Sequence, residues 1–200
     1  MHGTPAATPA GLGPSVPRRG NRFSRAFFTA LLRLAGWRFV EPFPDQAQAV
    51  IVAAPHTSNW DFVVGMSAVF ALGVRVHWMG KHTLFRWPAG PLMRWLGGIP
   101  IDRTAAHGVV EQTVALFAAR PQLLLVVTPE GTRKKVARWK SGFWHIAHGA
   151  GVPILLGAID YRKKQLQVGS LLQPGSDLEA DMRRIQAHYA GITPRHRDRF

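Results

Sequence analysis

Residues 122–128, QLLLVVT, are apolar at consecutive rather than alternating positions. Successive side chains of a strand point to opposite faces, so such a strand must be covered on both sides. Helices packed on both faces of a parallel sheet provide that cover. The same signature recurs along the chain, at 49–54 (AVIVAA), 74–79, 98–102 and 152–160, and most of these runs lead into a helix-like stretch. Those stretches cover 58–72, 105–119, 143–149 and 176–189. Thr57 or Ser58 and Thr104 are placed to cap the first two, and Ser176 with Glu179 forms an S-x-x-E capping box for the last. A short strand is expected at 165–168. The expected fold is therefore α/β: a single layered domain with a mostly parallel central sheet flanked by helices. Two hundred residues suffice for one such core. Residues 1–20, rich in proline and glycine, read as a flexible tail, leaving 21–200 as the domain.

Charge and composition narrow the partner class. There are 25 Lys and Arg against 11 Asp and Glu, a formal charge of +14, which calls for an anionic partner. Most of the cations are arginine, the side chain that grips phosphate or carboxylate bidentately. With no cysteine, disulfide scaffolds, thiolate metal sites and cysteine nucleophiles are excluded. No helix-turn-helix, RNA-recognition or zinc-finger signature accompanies the arginines, which disfavours nucleic acid as the partner. His145 and His148 are spaced i, i+3 but lack a third ligand, so no metal is expected. The uncharged run 141–159 contains two histidines, four glycines and Pro153, which divide it into a helix, a turn and a strand rather than a membrane span. Residues 1–20 contain no apolar stretch of the kind a signal peptide needs.

Residues 21–38 are expected to form an amphipathic helix. At about 100° per residue, Arg22, Arg25, Thr29, Arg33 and Gly36 fall on one stripe, with Phe23, Phe27, Phe28, Leu31, Leu32 and Leu34 opposite. Two readings fit: a helix packed on the domain with a solvated polar face, or an interfacial helix with arginines at headgroups and rings at the acyl boundary.

Three segments carry chemistry. His56 and Asp61, in PHTSNWD, follow a buried strand and open a helix, at the sheet edge where α/β ligand sites gather. A carboxylate folded back beneath the imidazole fixes one ring nitrogen as donor and leaves the other free as a base. Pro129-Glu130-Gly131-Thr132-Arg133 follows the QLLLVVT strand; it is either an ordinary strand-to-loop turn or a cradle in which backbone amides, Thr132 and Arg133 hold a phosphate. Residues 97–103, GGIPIDR, deliver Arg103 at the end of another strand.

These three segments and Gly151-Val152-Pro153-Ile154 occur in order and together resemble the four sequence blocks of the glycerolipid acyltransferase family, typified by 1-acylglycerol-3-phosphate acyltransferases. The resemblance covers about residues 49–160. It implies His56 as general base supported by Asp61, binding of the glycerol phosphate by Arg103, Glu130, Gly131, Thr132 and Arg133, and an acyl-donor region at Val152 and Pro153. The implied reaction moves a fatty acyl group from acyl-CoA or acyl carrier protein, as co-substrate, to the hydroxyl of a lysolipid, without metal or other cofactor. The implied setting is an anionic membrane surface on its cytoplasmic side, occupied peripherally. Pro55, Thr128 and Lys134 depart from the residues usual at those places in the family, which leaves the acceptor headgroup open: 1-acylglycerol 3-phosphate, a lyso-ornithine lipid or another lysophospholipid. A non-enzymatic basic protein binding lipid or nucleic acid is the competing reading.

Overall fold

The computed structural model describes residues 11–101 and 106–200. In chain order the elements are α1 (Arg22–Leu34), β1 (Arg38–Phe39), β2 (Gln48–Ala53), α2 (Asn59–Leu72), β3 (His77–Lys81), α3 (Gly90–Trp95), β4 (Gly98–Ile101), α4 (Ala106–Ala119), β5 (Leu123–Val127), α5 (Gly142–Ala150), β6 (Ile154–Asp160), β7 (Gln165–Leu172) and α6 (Leu178–Tyr189). The strands form one sheet in the order β1-β7-β6-β2-β5-β3-β4. All neighbours are parallel except β6 and β7, which form a hairpin. The expected α/β layering with a mostly parallel sheet is what the chain adopts.

The consecutive apolar residues do what their pattern demands. On one face Val50, Val52, Leu123, Leu125, Ile154 and Leu156 pack with Phe143, Ile146 and Ala147 of α5, Phe117 of α4, and Ile185 and Tyr189 of α6. On the other, Ala49, Ile51, Leu124 and Leu155 pack with Leu32 of α1 and Val64, Ala68 and Leu72 of α2. β2 and β5 thus lie in the middle of a three-layer sandwich, and the loops leaving their carboxyl ends sit on the most rigid part of the molecule.

Several boundaries differ from expectation. Residues 11–20 are not a free tail: Val16 is buried, Arg18 bridges to Val74 in antiparallel fashion, and the Ser15 amide donates to Asp45 Oδ1 at 2.8 Å. Proline and glycine shape an extended path across the domain there, rather than preventing one. The helix expected over 21–38 ends at Leu34, because Gly36 turns in the left-handed region (φ 81°) and Trp37 is drawn into the core. The strand expected from Val74 begins at His77, and the strand expected over 165–168 extends to Leu172. The cap of α6 is Asp177, whose side chain accepts from the Ala180 amide at 3.0 Å, in place of the Ser176/Glu179 box. Asp holds the N-cap position one residue later, so Glu179 lies at the second helical position, too early to close such a box. The Thr104 cap falls outside the described residues.

Candidate active site

β2 and β5 are adjacent and parallel, so the loops leaving their carboxyl ends meet. β2 leads through Ala54 and Pro55 to His56, and α2 begins three residues later, capped by Ser58. Ser58 Oγ accepts from the Trp60 amide at 3.2 Å, and Asp61, at the third helical position, reaches back to the Ser58 amide at 2.8 Å. This capping box is why an aspartate four or five residues behind a loop histidine points toward it. Asp61 Oδ2 also accepts from the Thr57 amide at 2.7 Å and lies 3.4 Å from His56 Nδ1, while Oδ1 accepts from the Tyr161 hydroxyl at 2.7 Å. Asp61 is buried, whereas His56 is partly open to solvent.

The electrostatics follow from that arrangement. Burial alone would push the Asp61 carboxyl toward its protonated form. The hydrogen bonds from His56, Tyr161, Ser58 and Thr57 outweigh it and hold the pKa below the ordinary aspartate value. Asp61 therefore stays anionic beside the imidazole. The phenol of Tyr161 is shifted upward by burial and by the hydrogen bond and charge of Asp61, so it remains a donor. With Nδ1 facing a carboxylate, Nε2 is the ring nitrogen of His56 left for another partner.

A second carboxylate holds the same loop from the other side. Glu130, three residues beyond β5, is buried and accepts from the His56 amide at 3.1 Å through Oε1. Its Oε2 is buried with no hydrogen-bond partner among the described residues. Burial moves its pKa above the ordinary glutamate value; backbone donation and the His56 charge oppose this, and the Asp61 charge adds to it. Glu130 thus lies beneath the His56 loop, with its carboxylate directed inward. Gly131 turns in the left-handed region (φ 64°), which brings Thr132 and Arg133 out to solvent, and the Lys140 side chain lies across that turn. Arg133 makes no hydrogen bond or ion pair among the described residues, and its guanidinium is available to an anion.

The structure therefore gathers His56, Asp61 and Glu130, with Gly131, Thr132 and Arg133 on the adjoining loop. Arg103 lies outside the described residues; β4, which precedes it, runs parallel to the others two strands beyond β5. Val152 and Pro153 are not gathered. They precede β6, and the Pro153 carbonyl accepts from the Val50 amide, which places them at the amino edge of the sheet, about 20 Å of strand from His56. The end of β6 that reaches the site is Asp160 and Tyr161. Tyr161, Lys140 and Arg195, whose guanidinium lies 5.4 Å above the Trp60 ring, carry no local motif, and only the strand order brings them in. Among the described residues no group of three or more His, Asp or Glu could hold a metal ion.

The raised Glu130 pKa fixes a sign. A carboxyl that binds its proton more tightly when folded contributes stability below its unfolded value of 4.5, and that contribution is lost as pH rises through the folded value. Glu130→Gln keeps an acceptor for the His56 amide without the charge. Its melting temperature relative to wild type should therefore climb as pH is raised from about 4 to about 7. A difference that stays flat or falls over that range contradicts the assignment.

The Acyltransferase family model matches residues 27–158, from within α1 to within β6. The fold is similar to the crystal structure of the 1-acyl-sn-glycerophosphate (LPA) acyltransferase PlsC from Thermotoga maritima, with a TM-score of 0.58 and 17% identity, covering 86% of this chain and 81% of that one. No curated protein sequence matches. The chain belongs to the Acyltransferase family and is an acyltransferase.

Proposed function

We propose that the chain is an O-acyltransferase moving a fatty acyl group from an acyl thioester, acyl-CoA or acyl carrier protein, to the free hydroxyl of a lysolipid, with 1-acylglycerol 3-phosphate as acceptor and phosphatidic acid as product. The observation that carries this is the His56–Asp61 pair, held from beneath by Glu130 and followed along the same edge by an exposed arginine. His56 Nε2 takes the hydroxyl proton as the oxygen attacks the thioester carbonyl. Asp61 stabilises the imidazolium that forms. Collapse of the tetrahedral intermediate breaks the C–S bond, and the imidazolium returns its proton to the departing thiolate, so the enzyme ends as it began. Arg133 takes the acceptor phosphate, a task for a forked cation on an exposed loop. The phosphate in the PlsC substrate named above supports this acceptor over a lyso-ornithine lipid. No cofactor enters the scheme.

Alanine at His56 should lower thiol release in the presence of acceptor by at least about 10²-fold, with the melting temperature preserved. Alanine at Arg133 should raise the acceptor KM by roughly tenfold or more, with little change for the thioester, as expected for one lost charge-assisted hydrogen bond. Turnover retained without His56 overturns the base assignment, and an unchanged acceptor KM overturns the phosphate role.

A lipid acceptor implies work at a membrane surface, and α1 is suited to it. Phe28 stacks on Phe70 of α2 and Leu32 is buried, so part of the apolar face is used in packing. Phe23, Phe27, Leu31 and Leu34 remain exposed in one stripe, and Arg22, Arg25 and Arg33 line a groove beside them. Trp87, Leu92 and Trp95 are exposed around α3, and Trp95 stacks on Phe70. No helix among the described residues is long and apolar enough to cross a membrane. Replacing Phe23 and Phe27 together with Asp should weaken binding to vesicles containing anionic lipid by more than about tenfold without lowering the melting temperature, since each ring contributes roughly 1.5–3 kcal/mol when buried. Unchanged vesicle binding contradicts a membrane role for α1.

A further inference from the structure

Tyr161 is 100 residues from Asp61 in sequence, yet its hydroxyl makes the one contact that the second Asp61 oxygen has among the described residues. Three features fix it there. Asp160, fully buried at the end of β6, accepts from the Arg162 and Lys163 amides at 3.0 Å each and so sets the turn that carries Tyr161. The Tyr161 amide donates to the Thr193 carbonyl at 2.9 Å. The ring meets Trp37 edge-on at 5.2 Å, and the Arg195 guanidinium lies over both Tyr161 and Trp60. This is a fixed ring presenting one donor to one oxygen.

We infer that Tyr161 is a positioning residue for the acyl transfer, its hydroxyl holding Asp61 so that Oδ2 stays aligned with His56 Nδ1. The inference rests on the acyl-transfer reading for its kinetic readout. Without the hydroxyl, Oδ1 is left buried and unpaired, only the Thr57 and Ser58 amides on Oδ2 hold the carboxylate, and its alignment with His56 is loosened. The other charged or titratable groups facing this cluster are Glu130 under the His56 amide, Arg195 over the rings, and Arg199, whose guanidinium donates to the Thr57 carbonyl at 3.4 Å. None of them occupies the Tyr161 position on Oδ1.

Tyr161→Phe keeps the ring and its packing on Trp37. It should lower kcat by about tenfold at unchanged KM for both substrates, and move the acid limb of the kcat–pH profile downward by about half a unit, because a loosened carboxylate stabilises the imidazolium less. In an Asp61→Asn background the same substitution should cost less than about twofold, since its effect passes through Asp61. The downfield proton resonance of the His56 Nδ1–H, assigned by its loss in His56→Gln, should shift upfield in the Phe variant as its hydrogen bond to Asp61 weakens, a readout that needs no turnover. Should the Phe variant fail to fold, 3-fluorotyrosine incorporation supplies a stronger donor at the same place and should keep that resonance at or downfield of its wild-type position; an upfield shift contradicts the positioning role. The inference is overturned by a kcat within about twofold of wild type with an unmoved limb and resonance, or by losses that simply multiply with those of Asp61→Asn. Wild-type protein that releases no thiol from acyl thioesters would instead refute the acyl-transfer reading, leaving the resonance to decide the contact.

Discussion

One buried carboxylate organises the site. Asp61 receives two backbone amides and the Tyr161 hydroxyl, and faces the imidazole of His56. A charge out of water is tolerated only when its lone pairs are met, and here they are met by groups from three parts of the chain. The two amides belong to the start of α2, the phenol to the end of β6, and the imidazole to the loop after β2. Removing any of them exposes the charge to a less favourable environment, so the loop, the helix cap and the hairpin end are bound to one geometry. The same hydrogen bonds that begin α2 also orient the base, and that is why the aspartate stands at the third helical position and nowhere else.

The sheet supplies the rest. Because β2, β5 and β6 are parallel and central, their carboxyl ends deliver His56, Glu130 and Tyr161 to one edge while both faces stay dry. Glu130 and Asp61 hold His56 from opposite sides, one by the backbone and one by the ring, and their proton affinities are displaced in opposite directions. The difference lies in the donors available: four groups serve Asp61, whereas one Glu130 oxygen is left without a partner among the described residues. An ionised Asp61 next to an imidazole suits proton transfer. A Glu130 that resists ionisation suits support. The cations of this edge, Arg133 and Lys140, stay on the solvent side of the left-handed turn at Gly131, where an anionic headgroup can reach them.

Much of this was legible in the chain. Consecutive apolar runs required a two-sided sheet, and a histidine before a capped helix, with aspartate five residues on, required the carboxylate to fold back. What could not be read came from contacts distant in sequence. Tyr161 has no motif of its own and depends on β6 lying next to β2. The resemblance of its block implied Glu130 as a substrate-binding residue, and only the depth of the β5 end shows that its carboxylate lies beneath the His56 loop. Val152 and Pro153 lie at the opposite edge of the sheet from His56, since they enter β6 and the end of that strand that approaches the site is its far one. Residues 11–20 were misread because proline and glycine signal a lack of regular structure, which is compatible with a fixed extended path. In α6 two adjacent capping residues competed, and the carboxylate of Asp177 took the position from Ser176.

The central claim is that the Asp61 charge makes His56 an effective base. Asp61→Asn tests it most directly, because an asparagine can keep its oxygen toward the Thr57 and Ser58 amides and turn its amide toward the Tyr161 oxygen, preserving the hydrogen-bond frame while removing the charge. Single-turnover thiol release from an acyl thioester, with saturating lysolipid at neutral pH, should fall by at least about 10²-fold while the melting transition remains cooperative. A rate within about threefold of wild type would mean that the charge does not assist proton transfer, and would contradict the account.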